Sequence, residues 1–255
     1  MVELLVSFLF DEISFFNLFS YLSTRTILST LTSLLLVLIF GEGFIRLISS
    51  FQFNQTFDGR APERHMVKHG TPTMGGILIV SSVLISGILW GNLFDKYLIL
   101  GLICIVGFAI IGFIDDYKKV KIESSKGLSS IEKIFFQSIL AGVISISLFM
   151  LAVDKNELIY IVPFFKNVAL DLGIFFIFIS IFIIVGSSNA VNLTDGLDGL
   201  AILPVIIITS ALGIIAWAAG NVIASDYLYI PYVQGTGELL VLCGALIGAG
   251  IGFLW

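Results

Sequence analysis

The chain has 255 residues, 58% of them hydrophobic and only 12% charged, with a mean hydropathy of +1.08. A soluble globular chain carries about 25% charged residues, so this composition excludes an ordinary soluble domain and points to a polytopic membrane protein. The formal net charge of −5 excludes little, because in such a protein the placement of charge matters more than its sum.

In chain order, residues 1–24 open with "MVELLVSFLFDEISFFNLFSYLS". The stretch lacks a basic start, and Asp11 and Glu12 interrupt it, so it does not read as a signal peptide. Its many phenylalanines predict an interfacial segment. Apolar runs of roughly 18 or more residues read as membrane spans. They fall near 27–47, 74–94, 97–114, 134–153, 168–187, 199–219 and 238–255. Without hydrogen-bonding solvent such runs must be helical, and they are too long and too uniformly apolar for barrel strands. The predicted fold is therefore all-α, a single membrane domain built as a transmembrane helical bundle. Cys104 and Cys243 both lie inside apolar runs, with no disulfide framework or zinc spacing around them.

Basic residues predict the orientation. Arg46, Arg60, Arg64, Lys68, Lys118, Lys119, Lys121, Lys126 and Lys133 fall on one side of the predicted spans, and Arg25, Lys96, Lys155 and Lys166 on the other, nine against four. The positive-inside bias puts the N-terminus outside and the nine on the cytoplasmic face.

Three polar stretches share that face. The first, "RHMVKHGTPTMGG" (64–76), sets Lys68 before a bend in which Pro72 fixes φ and Gly75 and Gly76 permit close backbone approach. A lysine beside a glycine-rich turn that opens a helix can hold an anion, but from this stretch alone an ordinary turn with a basic flank is the favoured reading. His65 and His69 are read as a solvated pair.

The second, "GFIDDYKKVKIESSKGLS" (112–129), places Asp115 and Asp116 at a span end. Ionised groups there are costly and usually functional, and carboxylates are unfavourable at a helix C-terminus. A carboxylate pair can bind a hard cation such as Mg²⁺ or supply a general base. The lysines that follow suit anionic headgroups, a phosphorylated substrate or plain anchoring.

The third, "NAVNLTDGLDGLA" (189–201), spaces Asn189, Asn192, Asp195 and Asp198 by three, which on a helical path gives one polar face. N-capping of the next span could account for Asp195 alone, but not for all four. Carboxylates, a cation and glycine-rich turns on one face match the needs of a diphosphate substrate.

At the chain's end Gly244, Gly248 and Gly252 recur every four residues, which favours close helix packing. The last run stops at Trp255 with no polar flank, so further spans are expected beyond it.

"GTPTMGG" (70–76), "FIDDYKK" (113–119) and "NAVNLTDGLDGLA" (189–201) together resemble, in order and spacing, the signatures of the phospho-N-acetylmuramoyl-pentapeptide transferases. These belong to the polyprenyl-phosphate N-acetylhexosamine-1-phosphate transferase superfamily. The resemblance implies a bacterial inner-membrane enzyme of ten spans, about seven of them present here, with its N-terminus periplasmic and its active site cytoplasmic. It implies transfer of phospho-MurNAc-pentapeptide from its UDP carrier to undecaprenyl phosphate, giving lipid I and UMP, with Mg²⁺ as cofactor. The expected partners are these two substrates, the membrane and a second copy in a homodimer; no nucleic acid is expected.

By the same resemblance Asp115 is the catalytic aspartate, a base toward the lipid phosphate or a nucleophile, with Asp116 beside it. Lys68, Thr73, Asn189, Asn192, Asp195, Asp198 and Lys133 line the substrate site, and Asp115 and Asp195 are the metal candidates. A further family block of the "FMGDxGSLALG" type would follow Trp255. The expectation is thus a C-terminally incomplete chain, inactive alone. The alternatives are a sister enzyme using UDP-GlcNAc and a transporter. Transporters place charge near the midplane within repeats, which this sequence does not show.

Overall fold

The computed structural model describes residues 14–50, 75–121, 127–162, 169–194 and 201–255. A short 3₁₀ turn, Ser14–Ser20, leads into α1 (Leu22–Ser50). Then follow α2 (Gly76–Trp90), α3 (Lys96–Lys121), α4 (Ser130–Met150), α5 (Phe175–Thr194), α6 (Ile202–Ala219), α7 (Val222–Leu228) and α8 (Leu239–Leu254). Between α4 and α5, strands β1 (Ile159–Ile161) and β2 (Ala169–Asp171) pair antiparallel, with Tyr160 opposite Leu170. Among the described residues six helices are long and apolar enough to cross a membrane. The chain is an all-α polytopic membrane bundle, with this hairpin as its β element among the described residues.

The core gathers α1, α2, α3 and α8. Val37, Leu78, Val83, Leu98, Leu242, Ala245 and Ala249 form one buried cluster. Large apolar side chains such as Phe178, Phe182, Ile207 and Ile215 stay exposed on α5 and α6, as expected of surfaces turned to lipid.

The four-residue glycine pattern of α8 has a direct structural reason. A Cβ on Gly244 would lie 2.7 Å from Thr30 Oγ1 and 2.9 Å from the Thr26 carbonyl. One on Gly248 would collide with the Thr30 carbonyl and Ser33 Oγ, and one on Gly252 would meet Val37 Cβ at 3.0 Å. The glycines thus let the two backbones approach, and hydroxyls of α1 use the proximity. Ser29 Oγ donates to the Val241 carbonyl at 3.0 Å, and Ser33 Oγ to the Ala245 carbonyl at 2.7 Å.

Gly248→Leu should therefore force α1 and α8 apart, at a cost of about 1–3 kcal/mol. Thermal unfolding in detergent would register it as a lower midpoint. Gly186→Leu, where a Cβ meets nothing within 4 Å, should leave the midpoint in place.

At the end of the bundle holding the start of α1, Arg25 meets Glu238 through two N–H···O contacts of 2.8 and 2.6 Å. It also donates to the Trp90 carbonyl at 3.3 Å, while the Asn92 N–H donates to Glu238 at 3.1 Å. Arg25 is only 4% exposed. At the same end Glu157 clamps the hairpin region to α3, accepting from Lys96 and the Tyr97 hydroxyl, and from the backbone N–H groups of Val153 and Asp154.

Burial pushes the Glu157 carboxyl up, but these four donors outweigh it and hold its pKa at about 2. A depressed carboxyl pKa stabilises the fold above the ordinary value of 4.5 and loses that contribution as the pH falls through about 2. Acid titration of hairpin accessibility to proteolysis should show loosening in that window, and Glu157→Gln should remove the pH dependence.

Several element boundaries differ from the sequence expectation. The run expected over 74–94 gives α2, whose 15 residues span about 22 Å at 1.5 Å per residue, short of a bilayer core of about 30 Å. It ends because Gly91 turns extended, its N–H closing on the Gly87 carbonyl. The run expected over 168–187 begins as β2, and its helix starts only at Phe175 but continues to Thr194. The run expected to stop at 114 continues as α3 to Lys121, carrying both aspartates on the helix. The short helix α7 has no counterpart among the predicted elements.

Candidate active site

The site is assembled from three helix ends: the C-terminus of α3, the N-terminus of α4 and the C-terminus of α5. On α3, Asp115 and Lys119 are four residues apart and so share a face. Lys119 Nζ lies 2.8 Å from Asp115 Oδ2. Asp116, one residue on, points to a different side, where it receives Lys119 Nζ at 3.1 Å and lines an apolar groove between α2 and α3.

α4 begins with a capping box. Ser129 Oγ accepts the Glu132 N–H at 3.2 Å, and Glu132 accepts the Ser129 N–H at 2.8 Å. This fixes the turn just before it, so that the Leu128 N–H donates to Asp115 Oδ1 at 2.7 Å. One turn into α4, Lys133 Nζ stands 3.5 Å from Asp115 Oδ2. Asp115 is 7% exposed, with an amide on one oxygen and two ammonium groups facing the other.

The end of α5 is tied to α4 by a buried amide. Gln137, 3% exposed, accepts from Asn189 Nδ2 at 2.7 Å and faces Ser188 Oγ at 3.3 Å. Asn189 also donates to the Val185 carbonyl at 2.8 Å. Both amide protons of Asn189 are thereby committed to helix packing, which leaves its oxygen. Asn192, one turn further, is exposed.

The result is a cleft of about 740 Å³ lined by Asp115, Lys119, Lys133, Asn189, Asn192 and the 127–130 turn. Small-molecule sites run to about 300–1,000 Å³, so a sugar nucleotide is of the right scale. Two ammonium groups suit a diphosphate, and a carboxylate beside them can take a proton.

Replacing Gln137 with Leu would take the interhelical acceptor from one Asn189 N–H and leave the other on the Val185 carbonyl. Interhelical polar contacts of this kind contribute about 1 kcal/mol in membrane bundles. A modest fall in unfolding midpoint is the expected outcome, and an unchanged midpoint would count against the Gln137–Asn189 tie.

Of the residues read from sequence, Asp115, Lys133, Asn189 and Asn192 come together in this cleft, whereas Asp116 lines the neighbouring groove. Lys68, Thr73, Asp195 and Asp198 lie outside the described residues. Among the described residues the cap position of α6 is Ala201, without a side-chain cap; the capping alternative weighed for Asp195 lies outside them.

Sequence reasoning grouped Lys119 with the general basic run, although its i,i+4 spacing from Asp115 was a usable signal. The Leu128 donor and the Gln137 tie were missed. The first is a backbone group signalled only by the Ser129–Glu132 box, and the second a lone amide in an apolar run.

For Mg²⁺ the donor chemistry is only half present. Among the described residues no three His, Cys, Asp or Glu side chains come together. Asp115 Oδ2 already faces Lys119 and Lys133, which a dication would have to displace. These residues do not by themselves fit the ion, and the other candidate, Asp195, lies outside them.

Comparison with known families gives two matches. Residues 98–255, more than half of the chain, match the model of glycosyl transferase family 4. Residues 68–80 match signature 1 of the phospho-N-acetylmuramoyl-pentapeptide transferases.

Proposed function

The chain belongs to glycosyl transferase family 4, and we propose that it transfers phospho-MurNAc-pentapeptide from UDP to undecaprenyl phosphate, forming lipid I and UMP. Family and signature together make it a sugar-1-phosphate transferase of peptidoglycan synthesis, acting on a lipid phosphate in the membrane. The observation that best supports the finer reading is the convergence of Asp115, Lys119 and Lys133 on one cleft at a single end of the bundle.

In this reading an oxygen of the lipid phosphate attacks the sugar-bearing phosphorus. The new P–O bond forms as the bond from that phosphorus to the uridylate oxygen breaks, and UMP leaves. Lys119 and Lys133 neutralise the diphosphate. As they turn to it they release Asp115 Oδ2, which takes any proton remaining on the acceptor phosphate. Asn192 and the free oxygen of Asn189 offer polar contacts to the sugar or base.

The cleft faces the cytoplasm in this proposal, on the nine-to-four distribution of basic residues. Mg²⁺ and a homodimer enter on the resemblance alone. Chelation should then stop turnover and added Mg²⁺ restore it.

The deciding experiment offers UDP-MurNAc-pentapeptide and UDP-GlcNAc separately, with undecaprenyl phosphate in nanodiscs, to the full-length protein. UMP release with the first donor alone is expected. Release only with UDP-GlcNAc would transfer the protein to the sister branch, and release with neither would remove the proposal.

A further inference from the structure

Asp115 is held from the α4 side by a turn that no motif accounts for. A Cβ built on Gly127 would collide with Asp115 Oδ1 and lie 2.9 Å from both the Asp115 carbonyl oxygen and Lys119 Cε. The turn therefore sits directly on the carboxylate, at a distance only a residue without a side chain allows. The backbone conformation does not itself demand glycine. Among the described glycines only Gly173 and Gly235 have positive φ, so the requirement at Gly127 comes from what it touches.

The next residue donates its N–H to the same oxygen at 2.7 Å, and the capping box at Ser129 and Glu132 anchors the turn from behind. One carboxylate oxygen is thus fixed by the turn, while the other is left for Lys119, Lys133 and the cleft.

We infer that Gly127 is a positioning residue for Asp115: lacking a Cβ, it lets the 127–128 turn seat on the carboxylate, fix Oδ1 and present Oδ2 to the substrate cleft. This rests on the transferase reading for its catalytic consequence, but the contact itself does not. Misplacing a reacting group by about 1 Å can cost about 100-fold in rate. Gly127→Ala should accordingly act on turnover rather than on substrate affinity, because Gly127 offers neither substrate a side chain.

The test compares wild type, Gly127→Ala and Gly112→Ala in nanodiscs. Gly112 lies one turn earlier on α3, and a Cβ there meets nothing within 4 Å. Two readouts are taken. One is kcat and KM for UDP-MurNAc-pentapeptide and undecaprenyl phosphate. The other is the Asp115 carboxylate stretch at fixed pH, isolated as the infrared difference between each protein and its Asp115→Asn counterpart.

Gly127→Ala is expected to lower kcat by about 10- to 100-fold with KM unchanged, and to move the Asp115 band. Gly112→Ala should leave both at wild-type values. A wild-type kcat in Gly127→Ala, or a lowered kcat with an unmoved band, overturns the inference. Should Gly127→Ala fail to fold, Leu128→Pro removes the donor to Oδ1, together with the leucine side chain and the freedom of φ, and must move the same band; an unmoved band there also overturns it. If wild type uses neither UDP-sugar, the transferase reading fails and the band alone decides the contact.

Discussion

Asp115→Asn is expected to reduce transfer by about 10²- to 10⁴-fold, the usual contribution of a positioned acid or base. Asparagine keeps the shape and one acceptor oxygen, so the 2.7 Å bond from the Leu128 N–H can persist and the turn can keep its place. What it removes is the group able to take a proton and the negative charge facing Lys119 and Lys133. Those ammonium groups then lose their shared counter-ion, so donor binding need not weaken. The expected signature is therefore a collapse of kcat with KM for the UDP-sugar held or lowered. UMP release in nanodiscs measures the rate, and thermal unfolding confirms an intact bundle. Turnover retained within a few-fold would take Asp115 out of the catalytic role.

The second large effect concerns stability. Arg25→Ala should cost about 3–5 kcal/mol, because removing one partner of a buried pair leaves the other charge uncompensated. Glu238 would keep one backbone donor, the Asn92 N–H, against the three contacts that engage its carboxylate in the intact protein. Arg25→Lys should recover little, since an ammonium cannot reproduce the two-pronged contact or reach the Trp90 carbonyl at the same time. The double replacement Arg25→Leu with Glu238→Leu should cost much less than the sum of the single changes, because it strands no charge. Unfolding midpoints of the three variants measure this, and additive losses would show that the pair does not act as a unit.

Much of this architecture was legible because membrane helices announce themselves by length and hydropathy. The glycine repeat of α8 also carried its meaning openly: four-residue spacing marks a close helix contact, and α1 supplies it. What was not legible depended on partners distant in the chain. Nothing near Arg25 marks Glu238 as its partner, 213 positions away. The end of α3 was placed too early because charged residues were taken to terminate an apolar helix. Lys119 instead closes back on both aspartates, which lets the helix carry charge to Lys121. The cleft shows the same division. Its charged members stand out by residue type, whereas its backbone donor and its glycine are visible only once the turn is folded.

The pairing of α1 with α8 also bears on how the protein is made. A ribosome delivers α1 first, and the helix that receives its serine hydroxyls and its arginine emerges more than 200 residues later. Contacts of such separation form late. Until α8 is inserted, Arg25 lacks its carboxylate, and the α1 surface shaped for Gly244, Gly248 and Gly252 is open to lipid. Arrival of α8 then covers that surface. A nascent chain halted after α6 should be a stronger substrate for membrane quality control than one carrying α8.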